Sequence, residues 1–267
     1  MFVKSDELTL HVDLQGSNDA PVLVLLHSLG TNLHLWDPIV SSLARNYRIL
    51  RLDMRGHGLS EVGKASFLIE DLAKDVLSIT DYFGIDVFSV AGVSIGGLIA
   101  QHLADSIPER LVSMVLIDTY LAPTTQSIWS TVADDIRNHG LSHRIQEIFS
   151  RWVTPEFRDT PPAIGMKQML HRTSAEGYAG CAEALSQIKP ARPKNKKVPV
   201  LVLVGENDIV ATPAAAKEMA IARSGKLVVL RNAAHIPILE KSGEILEEMM
   251  QFLAENRNKT IREETGV

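Results

Sequence analysis

The chain has a single thiol, no run of basic residues and no apolar stretch long enough to span a bilayer, and each shortage removes a class of explanation. Cys181 is the only cysteine in 267 residues, so no disulfide framework exists within the chain. Cys181 itself reads as a small buried residue and not as a nucleophile. The net charge of -5 is mild and has the wrong sign for a nucleic-acid footprint. The most basic stretch, KPARPKNKK (189–197), is rich in proline and reads as a solvated connector. The opening MFVKSDELTLHV has no charged leader followed by an apolar core, so no secretory signal is visible. No metal-ligand cluster, nucleotide-binding loop, internal repeat or low-complexity tract appears either. The expectation is a soluble cytoplasmic protein without a cofactor, acting on neither membrane nor nucleic acid; a homo-oligomer is left open.

What the sequence does contain is a rhythm. Apolar residues make up 45% of the chain, enough for a large core. LTLHVDL (8–14) alternates like a half-exposed edge strand. PVLVLLH (21–27) is continuously apolar, as a strand covered on both faces must be. YRILRLDM (47–54), VFSVAGV (87–93) and LVSMVLIDT (111–119) read as further strands. Between them lie helical patterns at 35–44, 66–84 and 96–107. From about Tyr120 to Lys189 the strand rhythm stops, and the pattern becomes helices broken by Gly and Pro. It resumes with strand VPVLVLVGEND (198–208), helix 213–222, strand KLVVLRN (226–232) and helix 242–256, before a polar tail expected to fray. The pattern predicts an α/β fold, a mostly parallel sheet with helices on both faces. Residues 1–120 and 190–267 form its core, and 121–189 form an inserted helical lid.

One stretch carries chemistry. Gly92-Val93-Ser94-Ile95-Gly96 fits G-x-S-x-G where a buried strand gives way to a helix. A serine on so tight a turn needs glycine two positions to either side, because a side chain there would strike strand or helix backbone. The helix N-terminus that follows favours negative charge. The bland reading, a glycine-rich packing turn, is weakened by the strand-to-helix context.

A serine hydroxyl needs a base, and the base needs an orienting acid. In chain order the acid follows the serine and the histidine comes last. His235, in the loop after KLVVLRN, is the histidine that follows Ser94 once the sheet resumes, at the strand edge where ligands bind in such sheets. For the acid, Asp208 in VLVGENDIVATP is preferred, with Glu206 and Asp118 as alternatives. The oxyanion of an attacked carbonyl needs two N–H donors. Ile95, after the serine, supplies one and Leu29 in HSLGTN the other. Trp36 reads as core packing and His57, in RGHGLS, as structural.

With LLHSLGTN, LDMRGHGLS, GVSIGG, LVGENDIVATP and AAHIPILE in that order, the chain resembles the α/β-hydrolase superfamily over nearly its whole length. Within it the sequence is most similar to the 3-oxoadipate enol-lactonases, through HSLGTNLHLWDP, LRLDMRGHGLSEV, RWVTPEF and EGYAGCAEAL. It departs from the common pattern at Ser28, where glycine is usual, and at AAH, where Gly-His is commoner. The resemblance implies a small-molecule ester or lactone substrate, a Ser94–His235–Asp208 triad and an acyl-enzyme. The substrate it implies carries a free carboxylate, for which Arg151, beside Trp152, is the candidate partner. The alternative is that Arg151 pairs with a surface acid while Trp152 packs the lid. A general esterase or cofactor-free perhydrolase would use the same groups, and a ligand-sensing signalling protein can stand on the same scaffold.

Overall fold

The continuous apolar runs become strands buried on both faces. The computed structural model describes the chain except residues 6, 7, 65, 124–125, 190–192 and 266–267; over 258–265 it describes backbone alone. The strands are β1 (Phe2–Ser5), β2 (Leu8–Gln15), β3 (Val22–Leu26), β4 (Arg48–Leu52), β5 (Phe88–Val93), β6 (Leu111–Ile117), β7 (Val200–Gly205) and β8 (Lys226–Leu230). They form one sheet in the order β1-β2-β4-β3-β5-β6-β7-β8. β1 and β2 run antiparallel to their neighbours, and every pair from β4 to β8 is parallel. All six residues of β5 and all six of β7 are buried, which is why their sequences show no alternation.

Around the sheet stand α1 (Asp37–Leu43), α2 (Ile69–Tyr82), α3 (Ile95–Ser106), α8 (Pro213–Arg223) and α10 (Ser242–Thr265), with a single turn, α9, at Pro237–Glu240. Between β6 and β7 come α4 (Gln126–His139), α5 (Ile145–Trp152), α6 (Pro161–Arg172) and α7 (Ala175–Gln187), with no strand among the described residues. α7 starts from Ser174, whose hydroxyl accepts the Gly177 N–H. Trp36 is fully enclosed in the core, at the end of a 3-10 turn (Leu33–Trp36) that precedes α1.

Three expectations need correcting. β2 is not the edge of the sheet: β1 pairs outside it, Val3 opposite Leu10, and four residues are too few for periodicity to disclose. The helix expected from residue 35 begins as a 3-10 turn because Pro38 sets the first turn of α1 instead. The last helix does not stop at 256, since α10 continues to Thr265. The connector and lid boundary expected near 190 fall in part on residues outside the described ones.

Candidate active site

Five loops leave the C-terminal ends of β3, β5, β6, β7 and β8, and they meet over the middle of the sheet, where open α/β sheets bind ligands. Ser94 stands between β5 and α3 with φ 54 and ψ -115, a conformation costly for any residue with a Cβ. Backbone bonds hold it: the Ser94 N–H donates to Ile117 O at 2.9 Å, while its carbonyl accepts from Gly97 and Leu98. The flanking glycines are required by contact. A Cβ on Gly96 would lie 2.6 Å from Leu26 O and 2.8 Å from His27 O, and one on Gly92 would press into the Gly96 carbonyl. The same approach seats the loop after β3 against the start of α3.

The structure brings Ser94, His235 and Asp208 into one hydrogen-bonded chain. His235 Nε2 lies 3.1 Å from Ser94 Oγ, and His235 Nδ1 lies 2.8 Å from Asp208 Oδ2. The other Asp208 oxygen accepts the N–H groups of Val210 (2.7 Å) and Ala211 (3.0 Å), a turn that fixes the carboxylate plane. Burial pushes the Asp208 carboxyl upward, but the charge and hydrogen bond of His235 outweigh it and hold the group below its ordinary range. Glu206 is directed elsewhere, accepting the Asn232 N–H from the surface. Asp118, the other alternative, ends β6 with φ 44 and accepts the Gly205 N–H at 2.8 Å.

Of the two expected oxyanion donors, Ile95 follows the serine directly and Leu29 lies in the loop after β3, and both residues are buried. Ile95 is the first residue of α3, so its N–H has no acceptor inside the helix. Among the described residues the Leu29 N–H has no acceptor either. The next N–H along, that of Gly30, donates to His57 Nε2 at 3.0 Å. His57 Nδ1 in turn lies 3.1 Å from Arg55 O. His27 makes the matching connection, accepting the Met54 N–H at 2.9 Å. Burial, reinforced by His27, drives the His57 pKa down to about 3, so His57 is a neutral acceptor at neutral pH. This linkage of the loop after β3 to the turn after β4 was not readable from RGHGLS alone.

Helices between β6 and β7 pack against the loops after β3 and β8. The Trp152 ring and the Leu170 and Tyr178 side chains crowd the space over Gly30. Trp152 O accepts the Ile236 N–H at 2.8 Å, one residue past His235. Glu240 strengthens the same junction: one oxygen accepts Thr154 N–H and Oγ1–H, the other the Ala234 N–H. Glu240 closes AAHIPILE and Thr154 lies in RWVTPEF, but neither stretch discloses that the two residues pair. Trp152 is thus buried against the loop after β3, 4% exposed. Arg151 is not brought there. Its guanidinium is about half exposed and pairs with Glu147 at 2.5 Å, one turn back on α5, so the expected carboxylate partner is an outward-facing ion pair. Cys181 is buried and its thiol is pushed up to about 12 by burial.

A strained serine at a strand-to-helix turn, a histidine and acid on later loops, and a mostly parallel eight-stranded sheet in this order define a class, and the comparison with known proteins agrees. The alpha/beta hydrolase fold family matches residues 21–242, and the chain belongs to it. More particularly, the chain is 34% identical to 3-oxoadipate enol-lactonase 2 of Acinetobacter baylyi over 214 residues, 79% of this chain and 80% of that one. It is 32% identical to enol-lactonase 1 of the same organism over 216 residues, with the same coverage. Among solved structures, the enol-lactonase from Burkholderia xenovorans LB400 superposes with a TM-score of 0.91 at 32% identity, covering 95% of this chain and 100% of that one. No described helix is long and apolar enough to cross a membrane.

Proposed function

We propose that this chain is a serine hydrolase of carboxylic esters whose substrate is a small lactone of the 3-oxoadipate enol-lactone type. The observation that carries the reading is the Ser94–His235–Asp208 relay at 3.1 and 2.8 Å, taken together with the two curated enol-lactonases it is similar to.

In this mechanism His235 Nε2 takes the proton of Ser94 Oγ as that oxygen attacks the lactone carbonyl. Asp208 holds Nδ1–H and stabilises the imidazolium. The N–H groups of Ile95 and Leu29 receive the oxyanion, in a site where their dipoles are already fixed. Collapse breaks the ring C–O bond, and His235 returns the proton to the leaving enol oxygen, which tautomerises to a ketone. Water, deprotonated by His235, then attacks the acyl-enzyme carbonyl; the acyl C–Oγ bond breaks, His235 returns the proton to Ser94 Oγ, and the acid leaves. Residues 121–189 act as a lid, and Trp152 forms the wall above the oxyanion loop.

The test is a panel of purified enol-lactone and neutral p-nitrophenyl esters, with wild type and Ser94→Ala. Wild type should favour the enol-lactone in kcat/KM, and Ser94→Ala should lose at least about a thousandfold on every substrate. A Ser94→Ala variant within about tenfold of wild type would remove the nucleophile assignment.

A further inference from the structure

Asp118 is a buried carboxyl beside the relay for which the mechanism above has no use. It is completely enclosed, 0% exposed, and held at the end of β6 in left-handed backbone, φ 44. Oδ1 accepts the Gly205 N–H at 2.8 Å. Oδ2 is also buried, and among the described residues no N–H or O–H reaches it. Ligand atoms of Asp118, Asp208 and His235 nevertheless all lie within 4.8 Å of one another.

Two carboxyl groups so close, both shut away from water, do not both ionise. The donors decide which one keeps its charge. Asp208 is faced by His235 and by two backbone N–H groups, whereas Asp118 is faced by one N–H only. A hydrogen bond to an ionised acceptor is worth more than one to a neutral acceptor, so the charge belongs on Asp208 and the proton on Asp118. The remaining titratable neighbours do not reverse this. Glu240 adds repulsion against a charge on Asp118, and Tyr120, two residues on, has its phenol pushed upward by burial. Burial, followed by the Asp208 charge, accordingly drives the Asp118 carboxyl well above the ordinary carboxylate range.

We propose that Asp118 is a positioning residue that carries its proton on Oδ2 and donates it in a hydrogen bond to Asp208, aiming the Asp208 carboxylate at His235 Nδ1. The proposal rests on the reading of Ser94, His235 and Asp208 as the reacting relay. A neutral acid at this spot restrains Asp208 without setting a second negative charge beside the imidazole. It also explains the otherwise unpartnered buried oxygen: Oδ2 is a donor whose acceptor is another carboxyl.

Asp118→Asn and Asp118→Ala separate this from the alternatives. The asparagine amide can still donate to Asp208 while its oxygen takes the Gly205 N–H. Asp118→Ala has neither group and should lose about tenfold or more in kcat on p-nitrophenyl acetate, with KM within about twofold. Asp118→Asn should recover most of that loss, and the acid limb of its kcat/KM–pH profile should coincide with wild type. If Asp118 were ionised, asparagine would remove a buried charge next to His235, and the acid limb would move down by about a pH unit or more. That displacement overturns the proposal. Infrared spectroscopy gives a readout independent of turnover: at neutral pH wild type should show the C=O band of a protonated carboxylic acid, and Asp118→Asn should lack it. A wild type without that band overturns the proposal even if Asp118→Ala fails to fold. A chain that hydrolysed no ester would defeat the hydrolase reading, and the infrared band would still report where the proton sits.

Discussion

The backbone at Ser94 stores strain that substitution can release, and two variants measure it. With φ 54 and ψ -115, residue 94 occupies a region where a Cβ costs roughly 1–3 kcal/mol. Ser94→Ala and Ser94→Gly both delete the hydroxyl and its 3.1 Å contact with His235, so their difference reports the backbone. Glycine relieves the strain but costs about 0.5–1 kcal/mol through the entropy of the unfolded chain. The net expectation is that Ser94→Gly exceeds Ser94→Ala by about 1 kcal/mol. For 267 residues the unfolding entropy is about 0.56 kcal/mol/K, which makes that difference about 2 °C in Tm. Differential scanning calorimetry resolves this readily, with urea midpoints as a second measure. Neither variant should turn over ester. Equal melting temperatures, or a lower one for Ser94→Gly, would show that the turn is unstrained and that the cost of presenting the serine lies elsewhere.

Other expectations follow from the loops around the relay. His57→Leu leaves the Gly30 N–H without its acceptor, a loss of roughly 1–3 kcal/mol; kcat should fall with little change in KM, because in the proposed mechanism the adjacent Leu29 N–H receives the oxyanion. The wild-type histidine also makes stability depend on pH. Its folded pKa of about 3 lies below the unfolded 6.5, so the unfolded chain binds the extra proton in between. Stability is therefore complete above about pH 6.5 and is lost as pH falls toward 3, with a slope of up to about 1.4 kcal/mol per unit, and His57→Leu should flatten that slope in acid urea melts. Glu240→Gln turns one acceptor toward donors from Thr154 or Ala234 and should lower Tm by about 2–5 °C while reducing kcat. An unchanged Tm and kcat would separate Glu240 from the His235 loop.

The sheet was legible because burial on both faces writes itself into sequence as uninterrupted apolar runs. β3, β5 and β7 announced themselves in that way. β1 did not, being four residues long with two of them exposed. α9 is a single turn that no periodicity can mark. In the site, Ser94 was legible because its geometry demands glycine at 92 and 96, and contact distances at Gly96 show why. His235 and Asp208 were legible from loop position and chain order. The supports were not. His57 accepts from Gly30 across 27 positions of sequence, and Glu240 accepts from Thr154 across 86 while also holding Ala234. Nothing local in the chain encodes such pairings; they exist only once the loops converge.

Arg151 differs, because the sequence already held the information that places it. α5 spans Ile145–Trp152, and its buried residues are Ile145, Phe149 and Trp152, spaced four and three apart. That stripe faces the core. Neighbouring positions on a helix point about 100° apart, so a Trp152 that packs over Gly30 turns Arg151 away from it. Arg144, Glu147 and Arg151 repeat at three and four along the outer side, and the structure shows them ion-paired. Adjacency in sequence therefore argues against a shared role for Arg151 and Trp152. The consequence is measurable on a lactone bearing a carboxylate. Arg151→Ala should leave KM within about twofold, as expected for an exposed pair worth little, whereas Trp152→Ala, which removes the ring packed over Gly30, should change kcat and KM together. A KM rise confined to acidic substrates in Arg151→Ala would mean that the guanidinium leaves Glu147 and swings inward when substrate binds.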